Sequence, residues 1–592
     1  MHRGPSTCVH FDENGRLYSG GYDCRVVAFQ PDGRTVRWVA EHDGLVNSVH
    51  AGPTLVASVG ADRVVRLWDR ETGQARGPPL GPRPDDLNVV FLDPLERYVV
   101  VAGDEGRMSA YATDQGNLLW ERYCAPPSRY GESIEAAAWL PGEDGRNIYF
   151  AADNSGHFAM VDQHGSPLMA GSLLDFGLEI LADIECAADD PVRREFLLGT
   201  ACGSLVHMSL DNPASVRADP VHSSAVKALV CAADQIICTS YDNTMLAIDA
   251  NTGARRSTFL AGDGRRGWAR GLAADPANVG RLASTSLGTA PQLWRAATLD
   301  LLADDAPATS GVNALASLRG KIFAGADDGY VWAVVGHSSH RISHLDSMVL
   351  GLAAQPNGFL IAACSHDGAC VLLDAGNGAT LARTVDRGDP AVCCAFSPDG
   401  RQLAVGHYSG KVRIRCADDL SLLGELTSSD TIKSLAFLGD GDRLAAGIAN
   451  GTLEVWALAP MTKVASVDGL FLVNSVAHDA STNSLITVGR DRIMRRWSAD
   501  LQLEGSWIRH SRSIKTVAVS PDGRWIATSG YDAKVGVWDA QGRGHLYDGH
   551  LLPGVASLLW LDSIHLVSGG WDGTVRIWTP GVGELQRVAL AA

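Results

Sequence analysis

The sequence predicts an all-β chain of fourteen four-stranded blades, folded as two tandem seven-bladed propellers. Three observations lead there. A short motif, two apolar runs flanking a Gly/Asp-rich turn, recurs along the whole of the 592 residues. Its turn position returns at a nearly constant spacing. Turn chemistry is abundant, with 64 glycines and 25 prolines, while no stretch reads as a long helix.

From the N-terminus the motif reads SGGYDCRVVAF (19–29), SVGADRVVRLW (58–68), AGDEGRMSAY (102–111), ADNSGHFAMV (152–161), TACGSLVHM (200–208), TSYDNTMLAI (239–248) and TSLGTAPQLW (285–294). The second half continues with AGADDGYVWAV (324–334), CSHDGACVLLD (364–374), VGHYSGKVRIR (405–415), AGIANGTLEVW (446–456), TVGRDRIMRRW (487–497), TSGYDAKVGVW (528–538) and SGGWDGTVRIW (568–578). The turn aspartate, or the residue in its place, stands at 23, 62, 105, 155, 202, 242, 288, 328, 367, 409, 450, 491, 532 and 572. From 242 onward the intervals are 46, 40, 39, 42, 41, 41, 41 and 40.

Inside each unit, period-2 alternation marks short strands. The stretch IKTVAVSPDGRWIATSGYDAKVGVWD reads strand, turn, strand, turn, strand. SPDG occurs at 397–400 and again at 520–523, where Pro presets φ and Gly accepts the positive φ the turn needs. A fourth strand follows, near HLYDG in this unit, then a loop to the next. Four antiparallel strands make one propeller blade.

Four residues recur at fixed offsets: His550, Ser568, Asp572 and Trp578 in the last unit, His510, Thr528, Asp532 and Trp538 before it, and His42, Ser58, Asp62 and Trp68 near the N-terminus. Thr487, Asp491 and Trp497 keep part of the set. Together with the Gly-His pair at 549–550, this pattern resembles the structural tetrad of the WD-repeat (WD40-type) β-propeller family. The resemblance implies fourteen WD-type repeats, each tetrad a hydrogen-bonded chain from a loop histidine to a third-strand tryptophan. It is strong from about 320 to 592 and degenerate from about 90 to 300. Burying such polar groups is favourable only when they satisfy one another, so the network also makes physical sense by itself.

Fourteen blades exceed the usual four to eight of one ring, so two sevens is the natural division. Counting from the start assigns residues 1–303 to a propeller of degenerate repeats. ADDAPATSG is small, acidic and Pro/Gly-containing, so 304–311 is expected to be a linker. Residues 312–592 form the second propeller. Each ring is expected to close by packing between whole blades, with terminal strands exchanged between the two rings the open alternative.

A formal net charge of −17 disfavours nucleic acid as a partner, since an acidic surface repels phosphates. The pairs Arg255-Arg256, Arg265-Arg266 and Arg495-Arg496 are too short and scattered to change that. Twelve cysteines include no CxxC, and most lie in apolar strand-like runs, where a thiol behaves as a small hydrophobe. No metal site, cofactor, signal peptide or membrane span is expected, and a reducing cytoplasmic location follows. HSSH at 337–340 reads as an exposed turn rather than a metal site, and LAGDGRRGWARG at 260–271 as a loop rather than a phosphate cradle. No G-x-S-x-G, H-E-x-x-H, Walker or kinase signature is present, so the chain is not expected to be an enzyme.

What remains is binding. The residue before each turn aspartate points to one rim, which in WD-repeat proteins is the usual contact surface. In the first propeller it reads Tyr22, Ala61, Asp104, Asn154, Ala201, Tyr241 and Leu287; in the second, Asp327, His366, Tyr408, Ala449, Arg490, Tyr531 and Trp571. His366, Tyr408, Arg490, Tyr531 and Trp571 form a set rich in the residue types that dominate interface hot spots. They are the candidate site for a protein or peptide partner, making the chain a non-enzymatic scaffold or adaptor in regulation or assembly. The alternative is a small-molecule-binding or hydrolytic propeller that uses its central channel.

Overall fold

The computed structural model describes residues 2, 6–124, 133–141, 146–153, 155–178, 184–212, 215–222, 225–232, 234–240, 242, 244–260, 270–285, 291–302, 311–439, 441–470, 472–550 and 554–590. The chain divides into two units, Met1–Ala308 and Thr309–Ala592. Within the described residues there are fourteen antiparallel sheets, seven in each unit, thirteen of four strands and one of three. Among the described residues the single helical element is a 3-10 turn at Leu173–Phe176. Among the described residues no helix is long and apolar enough to cross a membrane. The expected linker, 304–311, lies outside the described residues except for Gly311.

Each blade follows the chain: four strands, each paired with the one before. The twelfth is representative, with strands Val473–Asp479, Ser484–Gly489, Ile493–Ser498 and Leu503–Ile508. Its first strand packs on the first strands of both neighbours, so these inner strands ring the axis of the unit. The second strand is buried at every residue, because neighbouring blades cover both faces. Hence its near-continuous apolar sequence, SLITVG, in place of alternation. The outer strand alternates exposed with half-buried residues, as a sheet with one solvated edge must. Between inner and second strands, the glycines of the two SPDG turns, Gly400 and Gly523, sit at φ of 72° and 69°, a region a side chain rarely adopts.

One blade departs from the expected four strands. The second has only Val46–Ala51, Leu55–Gly60 and Val65–Asp69, followed by two isolated bridges, Val65 to Leu80 and Trp68 to Ala75. Pro78, Pro79, Pro82 and Pro84 follow in this stretch, and none can donate to a ladder. Arg83 instead ties the segment to the third blade, bonding Glu105, Glu121 and the Tyr111 hydroxyl at 2.8 Å each.

Each unit closes by contact between its first and last whole blades. In the first, Val9, Phe11 and Phe29 share a core with Ala273, Ala283 and Leu293. In the second, Val312, Ile322 and Ala324 share one with Val567, Val575 and Val588. Among the described residues, the four strands of each closing blade are consecutive in sequence.

Candidate functional site

The tetrads build the rim. His510 precedes the inner strand Ile514–Val519, and its Nδ1 lies 2.9 Å from Asp532, in the turn between second and third strands. Its Nε2 lies 2.8 Å from Thr528 Oγ1, which also accepts from Trp538 Nε1 at 2.7 Å. His550, Asp572, Ser568 and Trp578 repeat the chain at 3.0, 2.7 and 2.8 Å. His42, Asp62, Ser58 and Trp68 do so at 2.9, 2.7 and 2.7 Å. All three imidazoles are fully buried. Burial by itself would raise the pKa of Asp532. The His510 hydrogen bond and charge outweigh it, and the carboxyl falls below the usual aspartate range. Each network therefore pins the loop entering a blade to the turn that carries a rim residue.

Partial networks extend the pattern. Trp497 Nε1 donates to Thr487 Oγ1 at 2.8 Å, and Trp294 to Ser284 Oγ at 2.8 Å. Two further networks are not legible in the motif. In the first blade His2 lies 2.8 Å from Asp23 and 2.7 Å from Ser19, with Phe29 in place of the tryptophan. In the sixth, His222 lies 3.2 Å from Asp242 and 3.2 Å from the Cys238 thiol, which stands where Ser or Thr is usual. His2 sits four residues before its strand, and Cys238 looks like one more apolar strand residue. In the fifth blade, with Cys202 in the turn, Thr200 bonds only locally, to Ser204 and Cys202.

Beside the tetrads runs a second repeated device. In all seven blades of the second unit the inner strand carries a bulge after its first residue, as at Val312/Ala314, Ile432/Ser434 and Ile514/Thr516. The turn residue donates its N–H to the carbonyl two positions before the bulge: Tyr408 to Pro390, Arg490 to Leu472, Tyr531 to Ser513 and Trp571 to Gly554, at 3.0–3.1 Å. Rim turns and bulges therefore share one mouth of the ring. Where the bulge residue is asparagine it reaches the next blade. Asn313 donates to the Val349 carbonyl at 3.3 Å, and Asn474 to Ile514 at 2.8 Å. In the first unit Asn47 donates to Leu87 at 2.9 Å and Asn88 to Ile134 at 3.2 Å.

The five candidate binding residues occupy this mouth, in two clusters and a link. His366 and Tyr408 meet at 5.9 Å between ring centroids, and Tyr531 and Trp571 meet edge-on at 5.6 Å. Tyr408, Arg490, Tyr531 and Trp571 are half-buried, whereas His366 is buried at 4% exposure and supports Tyr408 from beneath. Trp571 also works at the closing seam, where its Nε1 donates to Asn313 Oδ1 at 3.1 Å. Lys433 sits 5.9 Å above the Tyr408 ring. In the first unit, Asn154, Tyr241 and Leu287 of the rim set lie outside the described residues. Tyr22 there is covered by Arg270, 5.3 Å from its ring.

The other candidates settle simply. His337 lies in the turn before the exposed outer strand Ser338–His344, which holds His340. Among the described residues no group of three His, Cys, Asp or Glu is arranged to hold a metal ion. Of the glycine-rich stretch 260–271, residues 261–269 lie outside the described residues. All twelve cysteines are free, and burial pushes the Cys8 and Cys238 thiols up to about 12.

Comparison with known proteins gives two family matches. The model described as WD domain, G-beta repeat matches residues 335–374, 382–415, 501–539 and 543–579. That described as outer membrane protein assembly factor BamB matches residues 1–170. Relatives include Telomerase protein component 1 of Rattus norvegicus, 28% identical over 34% of this chain and 8% of its own length. WD repeat-containing protein 1 of Bos taurus is 28% identical over 41% of this chain and 34% of its own. A Ribosome biogenesis protein WDR12 homolog of Drosophila mojavensis is 27% identical over 33% and 51%. The matches span about half or less of these relatives.

Proposed function

We propose that this chain, a WD-repeat protein of two tandem seven-bladed propellers, acts as a non-enzymatic scaffold that docks a protein partner on the turn rim of its second unit. One observation carries the reading. Tyr408, Arg490, Tyr531 and Trp571 share one register and stand half-buried at one mouth, with the turns of Tyr531 and Trp571 tied down by tetrads and that of Tyr408 by Ser409 bonding to Asp389. A rim held in place loses little entropy on binding, and aromatic and arginine side chains give much contact area for it. Relatives named as a telomerase component and a ribosome biogenesis protein favour a role in assembly. Protein is the partner class we favour over nucleic acid, given the net charge of −17. Twelve free thiols, five buried and seven half-buried, fit a reducing, cytoplasmic setting.

Arg490→Ala gives the cleanest test, because Trp571 also closes the ring through Asn313. Affinity for a partner isolated on the intact chain should fall by about 2 kcal/mol, with unchanged melting. Trp571→Ala should lose both affinity and stability. An Arg490→Ala chain that binds as tightly as the parent places the docking surface elsewhere.

A further inference from the structure

Three successive blades of the second unit bring cations to one mouth. Lys433 and Lys515 occupy the bulge positions of the eleventh and thirteenth blades, and Arg490 the rim turn of the twelfth, between them. Aromatic rings flank the arc, Tyr408 on one side and Tyr531 with Trp571 on the other. Four carboxylates of the same rim pair with other cations or a histidine. Asp389 holds Arg413 at 2.9 Å, Asp491 holds Arg495 at 2.6 Å, Asp532 holds His510, and Asp572 holds Arg576 at 2.8 Å.

Lys515 is the informative member. It is half-buried, and among the described residues no hydrogen bond, ion pair or ring contact joins it. Desolvation lowers its pKa below the ordinary lysine value with no opposing contribution from a carboxylate. The neighbouring Val555 carbonyl, which a bulge side chain reaches in the asparagine blades, instead accepts from Ser529 Oγ at 3.1 Å. The first unit handles the same position differently. There the bulge lysine, Lys227, is paired with Glu185 and lies 3.9 Å from Glu135, both themselves bulge residues. One fold position thus holds a neutralised lysine in one ring and a lysine without a counter-ion in the other. A desolvated, unpaired ammonium costs folding free energy, so the ring by itself gains nothing from it. An arriving anion would supply the missing partner.

Resting on the rim as the docking surface, we propose that the second unit takes an acidic segment of its protein partner, whose Asp or Glu carboxylates pair with Lys515, Arg490 and Lys433 while Tyr408, Tyr531 and Trp571 cover its apolar side chains. The three cations are half-buried among apolar blade edges of low dielectric, which strengthens their local field although the chain as a whole is acidic. Carboxylates meeting guanidinium and ammonium groups there form charge-assisted bonds, stronger than neutral ones.

Panning a displayed random decapeptide pool on the full chain tests this. The retained peptides should be enriched in Asp and Glu, and a Lys515→Gln/Arg490→Gln chain should hold them about tenfold more weakly or worse. Raising salt should weaken the parent complex in the same direction. Lys515→Gln should melt no lower than the parent, because it removes an unpaired cation. A retained pool without acidic enrichment overturns the proposal, as does one the double variant holds equally, or no retention above the empty support. The two readings separate cleanly. A neutral pool lost in Tyr531→Ala keeps the rim as docking surface and removes only its preference for anions. A pool insensitive to every rim variant removes both.

Discussion

A tetrad aspartate is buried, ionised and bonded to a histidine that has no other acid partner in its blade. Removing it leaves the imbalance inside the protein. Asp532→Ala strands His510 and weakens the hold on Thr528, so it should cost about 1–3 kcal/mol in urea unfolding. Cys202→Ala removes weak thiol contacts with Thr200 at 3.2 Å and Ser204 at 3.7 Å and should shift the same curve by less than about 0.5 kcal/mol. Equal damage from both would show that the fifth blade is held by a network like the others. A different residue-scale effect is set by pH. His10 and His50 stack at 4.2 Å on the inner strands of the first two blades. Their Nδ1 atoms accept from the backbone N–H of Ala51 at 3.2 Å and Leu92 at 3.4 Å, each on the next blade. Desolvation lowers the His10 pKa to about 4, and desolvation together with His10 holds that of His50 well below the ordinary histidine value. Since the folded pKa lies below the unfolded one, the stability is complete above about pH 6.5 and declines as pH falls toward 4. For His10 this amounts to about 2 kcal/mol by about pH 5. Melting of the first unit should drop over that range, and His10→Gln should flatten the dependence. An unchanged pH profile in the variant would mean that other groups set the acid limit.

At the scale of strands and turns, much was readable because the blade imposes its own periodicities. The second strand, covered on both faces, reads as an unbroken apolar run, and the SPDG turn fixes its hairpin through a glycine at positive φ. The bulge at the head of each inner strand left no such mark. It is a property of pairing register, one extra residue opposite its partner, and Lys433, Asn474 and Lys515 look like ordinary polar strand residues until the register is known. For the same reason the rim could be nominated from its spacing, while its cationic bulge neighbours could not. The three-stranded second blade was misread because the repeat count outweighed four prolines that forbid an outer ladder. The bulge makes an element-scale prediction. Asn474 joins the twelfth blade to the Ile514 carbonyl and the Ser513 hydroxyl of the thirteenth, at 2.8 and 3.2 Å. Asn474→Ala should cost about 1 kcal/mol, and more where the freed carbonyl stays dry. Val392→Ala, at the same position in the tenth blade, makes no such bond and should cost less. Hydrogen exchange would locate the loss at the seam between those blades; protection unchanged there would show that the asparagine is not a latch.

For the molecule as a whole, the consequence of ring closure is that each unit owns a complete set of interblade cores. Fourteen buried clusters occur among the described residues, seven within the first unit and seven within the second. The core that completes the second ring joins Val312, Ile322, Ala324 and Trp332 of its first blade to Val567, Val575 and Val588 of its last. Outer strands add to it, with Ser339 Oγ donating to the Ala589 carbonyl at 3.0 Å. Residues 309–592 produced alone should therefore fold as a monomer with one cooperative transition, at a temperature matching one of the transitions of the full chain. Cutting the same fragment short after residue 549 removes the last blade. It would expose the Val312 face and leave the first blade's sheet uncovered, so the transition should broaden or vanish and the fragment should associate. Closure thus makes the ring more cooperative than an open solenoid, in which loss of a terminal repeat removes only one interface. The two fragments discriminate because they differ only in that blade. A shortened fragment that still melts sharply as a monomer would mean that the remaining six blades close on one another, and that the seam at Trp571 and Asn313 is dispensable to the fold.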